Sequence, residues 1–181
     1  PLASFRSTIE VGSLAAAAVQ GPVALYTMMK LYGSNAEQVG KAIAQAMIKS
    51  KKSLDVGKTM NELHKMIERD SGGFFGDDMV RAMFKELKAQ GTTFKEVAGT
   101  VGSQSIDLLM ANLKGGWTTD EEFNYLDQMA EVAPNSSRVK MLERILGDFF
   151  VGDRSEQLIT KLLPKDSAEL NKVLRQLSNA Q

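Results

Sequence analysis

Apolar residues recur at i, i+3, i+4 and i+7 along most of this chain, the spacing that lays a single stripe down one side of an α-helix. Val80, Met83, Phe84 and Leu87 form one such set, Leu142, Ile145, Leu146 and Phe149 a second, and Leu170, Val173, Leu174 and Leu177 a third. Start signals accompany the stripes. Ser34 with Glu37, Thr93 with Glu96, and Asp166 with Glu169 each set an N-cap oxygen three residues before a carboxylate, so that each can satisfy the other's free backbone N–H. Gly33, Gly72 and Gly91 follow the stripes as stops, since glycine suits the left-handed conformation that closes a helix.

The pattern predicts helices near 8–20, 22–32, 35–50, 54–69, 77–90, 93–101, 103–114, 119–132, 137–150, 154–163 and 167–179. No stretch alternates apolar and polar residues between the turn residues a hairpin needs. The expected fold class is therefore all-α: a compact bundle of crossed helices, about nine to eleven of them and short, with little or no sheet. Connections are short and none is a Pro-, Gly- or Ser-rich linker, so residues 1–181 are expected to form a single helical domain.

Residues 11–29 interrupt the ordinary mixture of polar and apolar positions: they carry no charge, between Glu10 and Lys30. That length approaches the roughly 20 apolar residues that cross a bilayer, yet the run is built largely from Ala, Gly, Ser, Gln, Thr and Pro. Gly21-Pro22 lies inside it, and a proline there removes a backbone donor and clashes with the preceding turn. Two helices are expected in place of one, making residues 1–33 an uncharged helical pair separable from the rest. Small side chains let such helices approach closely, whether as the centre of a bundle, as the interface of an assembly, or in lipid.

Composition narrows the chemistry more than it names it. A chain of 181 residues can bury about 70% of the surface its unfolded form exposes. With 43% hydrophobic and 24% charged residues it reads as an ordinary globular sequence, neither disordered nor a multi-span membrane protein. Lys plus Arg equals Asp plus Glu at 22 each, which removes the overall positive charge that wholesale nucleic-acid binding relies on. No cysteine is present, which excludes disulfides, thiolate metal sites and cysteine nucleophiles. The first ten residues lack the basic region and leucine-rich core of a secretory signal, so a cytoplasmic or virion-internal location is expected.

No motif fixes a reaction. His64 is the sole histidine, and Glu68 four residues on can hold its ring as an ordinary helix-face pair. Asp77-Asp78 and Glu121-Glu122 fall at expected helix starts, where negative charge complements the helix dipole. Gly99-Thr100-Val101-Gly102-Ser103 lacks the preceding strand and the Gly-Lys-Ser/Thr ending of a phosphate-binding loop. The chain is expected to have no catalytic residues, no metal site and no cofactor.

Contact surfaces are the better candidates. In the uncharged pair Leu25, Tyr26, Met28 and Met29 offer adaptable apolar bulk to a partner or to lipid. Phe74 and Phe75 stand between glycines in one loop, and Trp117 follows Gly115-Gly116, which makes each an anchor for a partner or a lipid interface. Lys49, Lys51, Lys52 and Lys58 form a basic cluster opposed only by Asp55, while residues 119–131 hold five acids and no Lys or Arg. Three function classes follow. The first is a non-enzymatic structural or assembly protein, a helical subunit or fragment of a larger complex that self-associates or binds protein partners. The second is a membrane-active or translocation protein, such as an internal virion protein, in which residues 8–32 enter lipid. The third is a small nucleic-acid-associated helical module that uses Lys49 to Lys58.

Overall fold

In a computed structural model of the chain, the described residues are 2–71, 76–99, 101, 106, 108, 109 and 119–132, with side chains described at 10–70, 76, 78–99, 101, 106, 108, 109, 124, 125, 127–129, 131 and 132. Among them seven helices occur and no strand: α1 Leu2–Gln20, α2 Pro22–Tyr32, α3 Ala36–Ser50, α4 Val56–Ser71, α5 Asp77–Ala89, α6 Phe94–Val97 and α7 Thr119–Val132. The protein is all-α over this part. Two compact units form, Pro1–Asn112 and Leu113–Gln181, and α1 to α6 belong to the first. Residues 106, 108 and 109 are helical within the expected 103–114 segment. The helices expected at 137–150, 154–163 and 167–179 lie outside the described residues, as do Leu146, Phe74, Phe75 and Trp117.

Local chemistry accounts for the helix ends. Gly21 takes φ 139° between α1 and α2, and Pro22 opens α2 at a position where its missing N–H costs nothing, so the uncharged run splits there. Gly33 then closes α2 in the left-handed conformation, donating to Lys30, while the Ser34 N–H reaches back to the Met29 carbonyl. That second bond makes Ser34 the tail of α2, which shifts the next cap by one residue from the Ser34–Glu37 pair expected. Asn35 caps α3 instead, accepting from the Gln38 N–H at 2.8 Å while its own N–H donates to Gln38 at 3.0 Å. Asp55 caps α4 by accepting from the Lys58 N–H at 2.9 Å.

Two further boundaries depart from expectation. α1 begins at Leu2 and not near residue 8, because the stretch before Thr8 contains no helix breaker. α6 stops at Val97, well short of 101, with Ala98 already extended. The Gly99 backbone lies so close to the α3–α4 turn that a Cβ there would stand 2.5 Å from the Lys52 carbonyl oxygen, a long-range constraint no local pattern announces.

α3 is the centre of the first unit. It packs against α1, α5 and α6, whereas α2 packs on α1 and α4. Seven of its residues are buried: Val39, Gly40, Ala42, Ile43, Ala44, Ala46 and Met47. Gly40 sits directly on α5, where a Cβ would stand 2.1 Å from the Met79 carbonyl oxygen, so the two backbones touch. Val80, Met83, Phe84 and Leu87 are all buried, as their spacing predicts. The Phe84 and Phe94 rings lie 5.4 Å apart in a tilted pair that seats α6. One polar link pins the α3–α5 crossing: Lys41 approaches the buried Glu86 at 3.7 Å, and the Gln90 side-chain amide donates to the same carboxylate at 2.8 Å. In the second unit α7 buries Tyr125, Gln128 and Met129, spaced for one face of a helix.

Candidate functional site

The uncharged residues of α1 and α2 divide between core and surface. Val11, Leu14, Ala15, Ala17 and Ala18 are buried, so one side of α1 joins the core. Gly12, Ala16, Val19 and Gln20 recur on the other side at helical spacing and are exposed. On α2 only Leu25 is buried; Val23, Thr27, Lys30 and Leu31 are exposed. Val23 leaves 68% of its surface open and Leu31 72%. Among the described residues the exposed large hydrophobics are Val19, Val23, Leu31 and Tyr32, and all four belong to this hairpin.

Between the two helices runs an open groove of about 470 Å³, lined by Ser13, Ala16, Ala17 and Gln20 from α1 and by Ala24, Thr27 and Met28 from α2. It exists because these side chains are short: two helices faced by Ala, Ser and Thr leave space that Leu or Phe would fill. Its lining carries no ionisable group, so it suits apolar packing and single hydrogen bonds, not proton transfer.

A polar knot holds α2 against α4. The Tyr26 hydroxyl donates to Asp70 at 2.6 Å, Lys30 approaches the same carboxylate at 3.5 Å, and Arg69 Nε meets its other oxygen at 3.0 Å. Lys30 also lies over the Tyr26 ring, 5.4 Å from its centroid. The hydrogen bond from Arg69, then that from Tyr26, holds the Asp70 carboxyl down at about 2, and the nearby Lys30 charge acts in the same direction. The same hydrogen bond to Asp70 raises the Tyr26 phenol above its usual value. On the other side of the hairpin, the Gln38 side-chain amide donates to Glu10 at 3.2 Å and ties α3 to α1.

The expected contact residues therefore take different stations. Leu25 is wholly buried and anchors α2. Tyr26, Met28 and Met29 are half-buried, Tyr26 within the polar knot and Met28 at the groove. Val23 and Leu31, which the sequence pattern did not single out, form the open apolar stripe. Lys49, Lys51, Lys52 and Lys58 are exposed around the α3–α4 turn. His64 and Glu68 meet at 3.5 Å, as their spacing predicts, on the flank of α4. Among the described residues no three His, Cys, Asp or Glu residues come together as a metal site, and no helix is long and apolar enough to cross a membrane. No protein-family model matches the chain, and no match appears among curated proteins or solved structures.

Proposed function

We propose that this chain is a non-enzymatic structural or assembly protein, a helical subunit or fragment of a larger complex, and that it associates through the outer face of α1 and α2. The observation that carries this reading is the collection of every exposed large hydrophobic of the described residues onto that one hairpin, beside a groove without charge. Concentrated apolar surface costs solubility unless something covers it, so a patch of this kind marks an association surface. The small groove residues would let an incoming helix approach closely, and Met28 can adjust its shape to what arrives. No cofactor enters this reading. The stripes at 142–149 and 170–177 support extending the described helices to a bundle of nine to eleven.

Light scattering on the full chain beside the double variant Val23→Glu/Leu31→Glu tests the proposal. An oligomer in the parent chain that the variant reduces to a monomer, with its helical circular dichroism unchanged, is the expected result. A parent chain that stays monomeric at high concentration overturns it. Co-flotation of the parent with liposomes, lost in the same variant, would instead favour the reading in which residues 8–32 enter lipid.

A further inference from the structure

We propose that the α3–α4 turn is a docking surface for the phosphate backbone of nucleic acid, carried by Lys49, Lys51, Lys52 and Lys58. All four side chains are exposed, and among the described residues none of them forms an ion pair, whereas Lys30, Lys41 and Lys65 each face a carboxylate within 4 Å. The one acid in the segment, Asp55, is turned to the Lys58 backbone N–H as a helix cap.

Local conformation makes the lysines more telling than their number does. Lys51 and Lys52 are consecutive left-handed residues, with φ 45° and 71°, and are the non-glycine residues of the described chain at positive φ. Glycine or asparagine would hold that turn with less strain, so lysine stands there against the local backbone preference. Lys58 opposes a second preference. It lies in the first turn of α4, where a cation meets the positive end of the helix dipole with the Asp55 cap as the one acid beside it. Behind the turn, the Gly99 backbone packs against the Lys52 and Leu54 carbonyls, which fixes the shape the lysines are mounted on.

The chemistry of the surroundings selects the partner. Leu54 and Val56, the apolar residues of the connection, are buried, and Ser50, Ser53 and Asp55 are polar, so the turn offers no apolar wedge to a lipid interface and no aromatic anchor to a protein. Point charges on flexible stems suit a dense, regular row of phosphates, where affinity comes from released counterions and carries no base preference. This surface is separate from the α1–α2 face, and it stands or falls independently of the assembly reading.

The test is fluorescence anisotropy of a labelled DNA duplex with the full chain. For three to four phosphate contacts the affinity should fall about a hundredfold between about 10 mM and about 50 mM salt. Lys51→Glu/Lys52→Glu should weaken binding by about tenfold or more at the lower salt and make the salt slope shallower by about two, while Lys85→Glu/Lys88→Glu, an equal change of net charge on α5, should change it less than about twofold. Lys51→Gly/Lys52→Gly, which frees the backbone of its strain, should lose binding without lowering the melting temperature. Absence of binding at low salt overturns the proposal, as does an equal loss in the α5 variant. Binding to phosphatidylserine vesicles without binding to the duplex also overturns it, since the lysines would then serve a lipid surface.

Discussion

α3 and the α1–α2 hairpin are built from the same small residues and use them in opposite ways. In α3 Gly40, Ala42, Ala44 and Ala46 are buried, and the missing Cβ of Gly40 brings the helix onto the Met79 backbone. In the hairpin Ala16, Ala24 and Thr27 line an open groove, and a Cβ at Gly12 would meet nothing beyond its own helix backbone within 4 Å. Smallness closes one interface and leaves the other open. What differs is the number of neighbouring elements: α3 has partners on several sides, whereas α2 rests on α1 and α4 through one buried leucine and a polar knot.

The sharpest way to break this contrast is to add one methyl group to each glycine. Gly40→Ala places a Cβ 2.1 Å from a backbone oxygen that cannot rotate away, and it should cost about 3 kcal/mol or more, read as a fall in the urea midpoint or as failure to fold. Gly12→Ala meets nothing and should stabilise the chain by about 0.5 to 1 kcal/mol, the helix-propensity difference alone. If Gly40→Ala stabilised the chain as Gly12→Ala should, the close α3–α5 approach would be wrong; if Gly12→Ala destabilised it, the open face of α1 would be.

Next in size is Leu25→Ala, expected to cost about 2 to 5 kcal/mol because no second buried residue of α2 compensates for it. Leu31→Ala on the open stripe should stay within about 0.5 kcal/mol. Thermal or urea unfolding of the two variants side by side separates an anchor from a surface.

The smallest effect is electrostatic. Asp70 has a folded pKa of about 2, below its ordinary 3.8, so its stabilising contribution is complete above 3.8 and drains away as the pH falls toward 2. The difference in urea midpoint between the parent and Asp70→Asn should shrink over that window. A difference that stayed constant from neutral pH to pH 2 would show that the knot does not hold α2 through an ionised Asp70.

Much of the fold was legible in the sequence because its signals are local. Proline at 22, glycine at 33 and the stripe from Val80 to Leu87 act within a few residues, and each marks the feature the structure contains. The shifted cap at Asn35 was less legible, since it depends on which backbone bond takes the Ser34 N–H. The end of α6 depends on Gly99 meeting a turn almost fifty positions earlier, and nothing near residue 97 records that. The site was harder still. In a run where nearly every residue is small or apolar, periodicity does not say which face turns inward, so Leu25 and Val23 look alike until α4 is in place. The lysine cluster could be read from the sequence, but its left-handed backbone could not.

The central position of α3 also sets an order of events during synthesis. α1 leaves the ribosome before α3, the helix it packs on, and α3 finds α5 only when residues 77–89 have emerged. At about 5 to 20 residues per second, the gap between residue 20 and residue 89 is roughly 3 to 14 seconds. Until α3 has emerged, the apolar side of α1 has α2 or a chaperone to shield it, which gives the Gly21-Pro22 break a second use: it lets α1 and α2 fold onto each other before α3 is there to receive them.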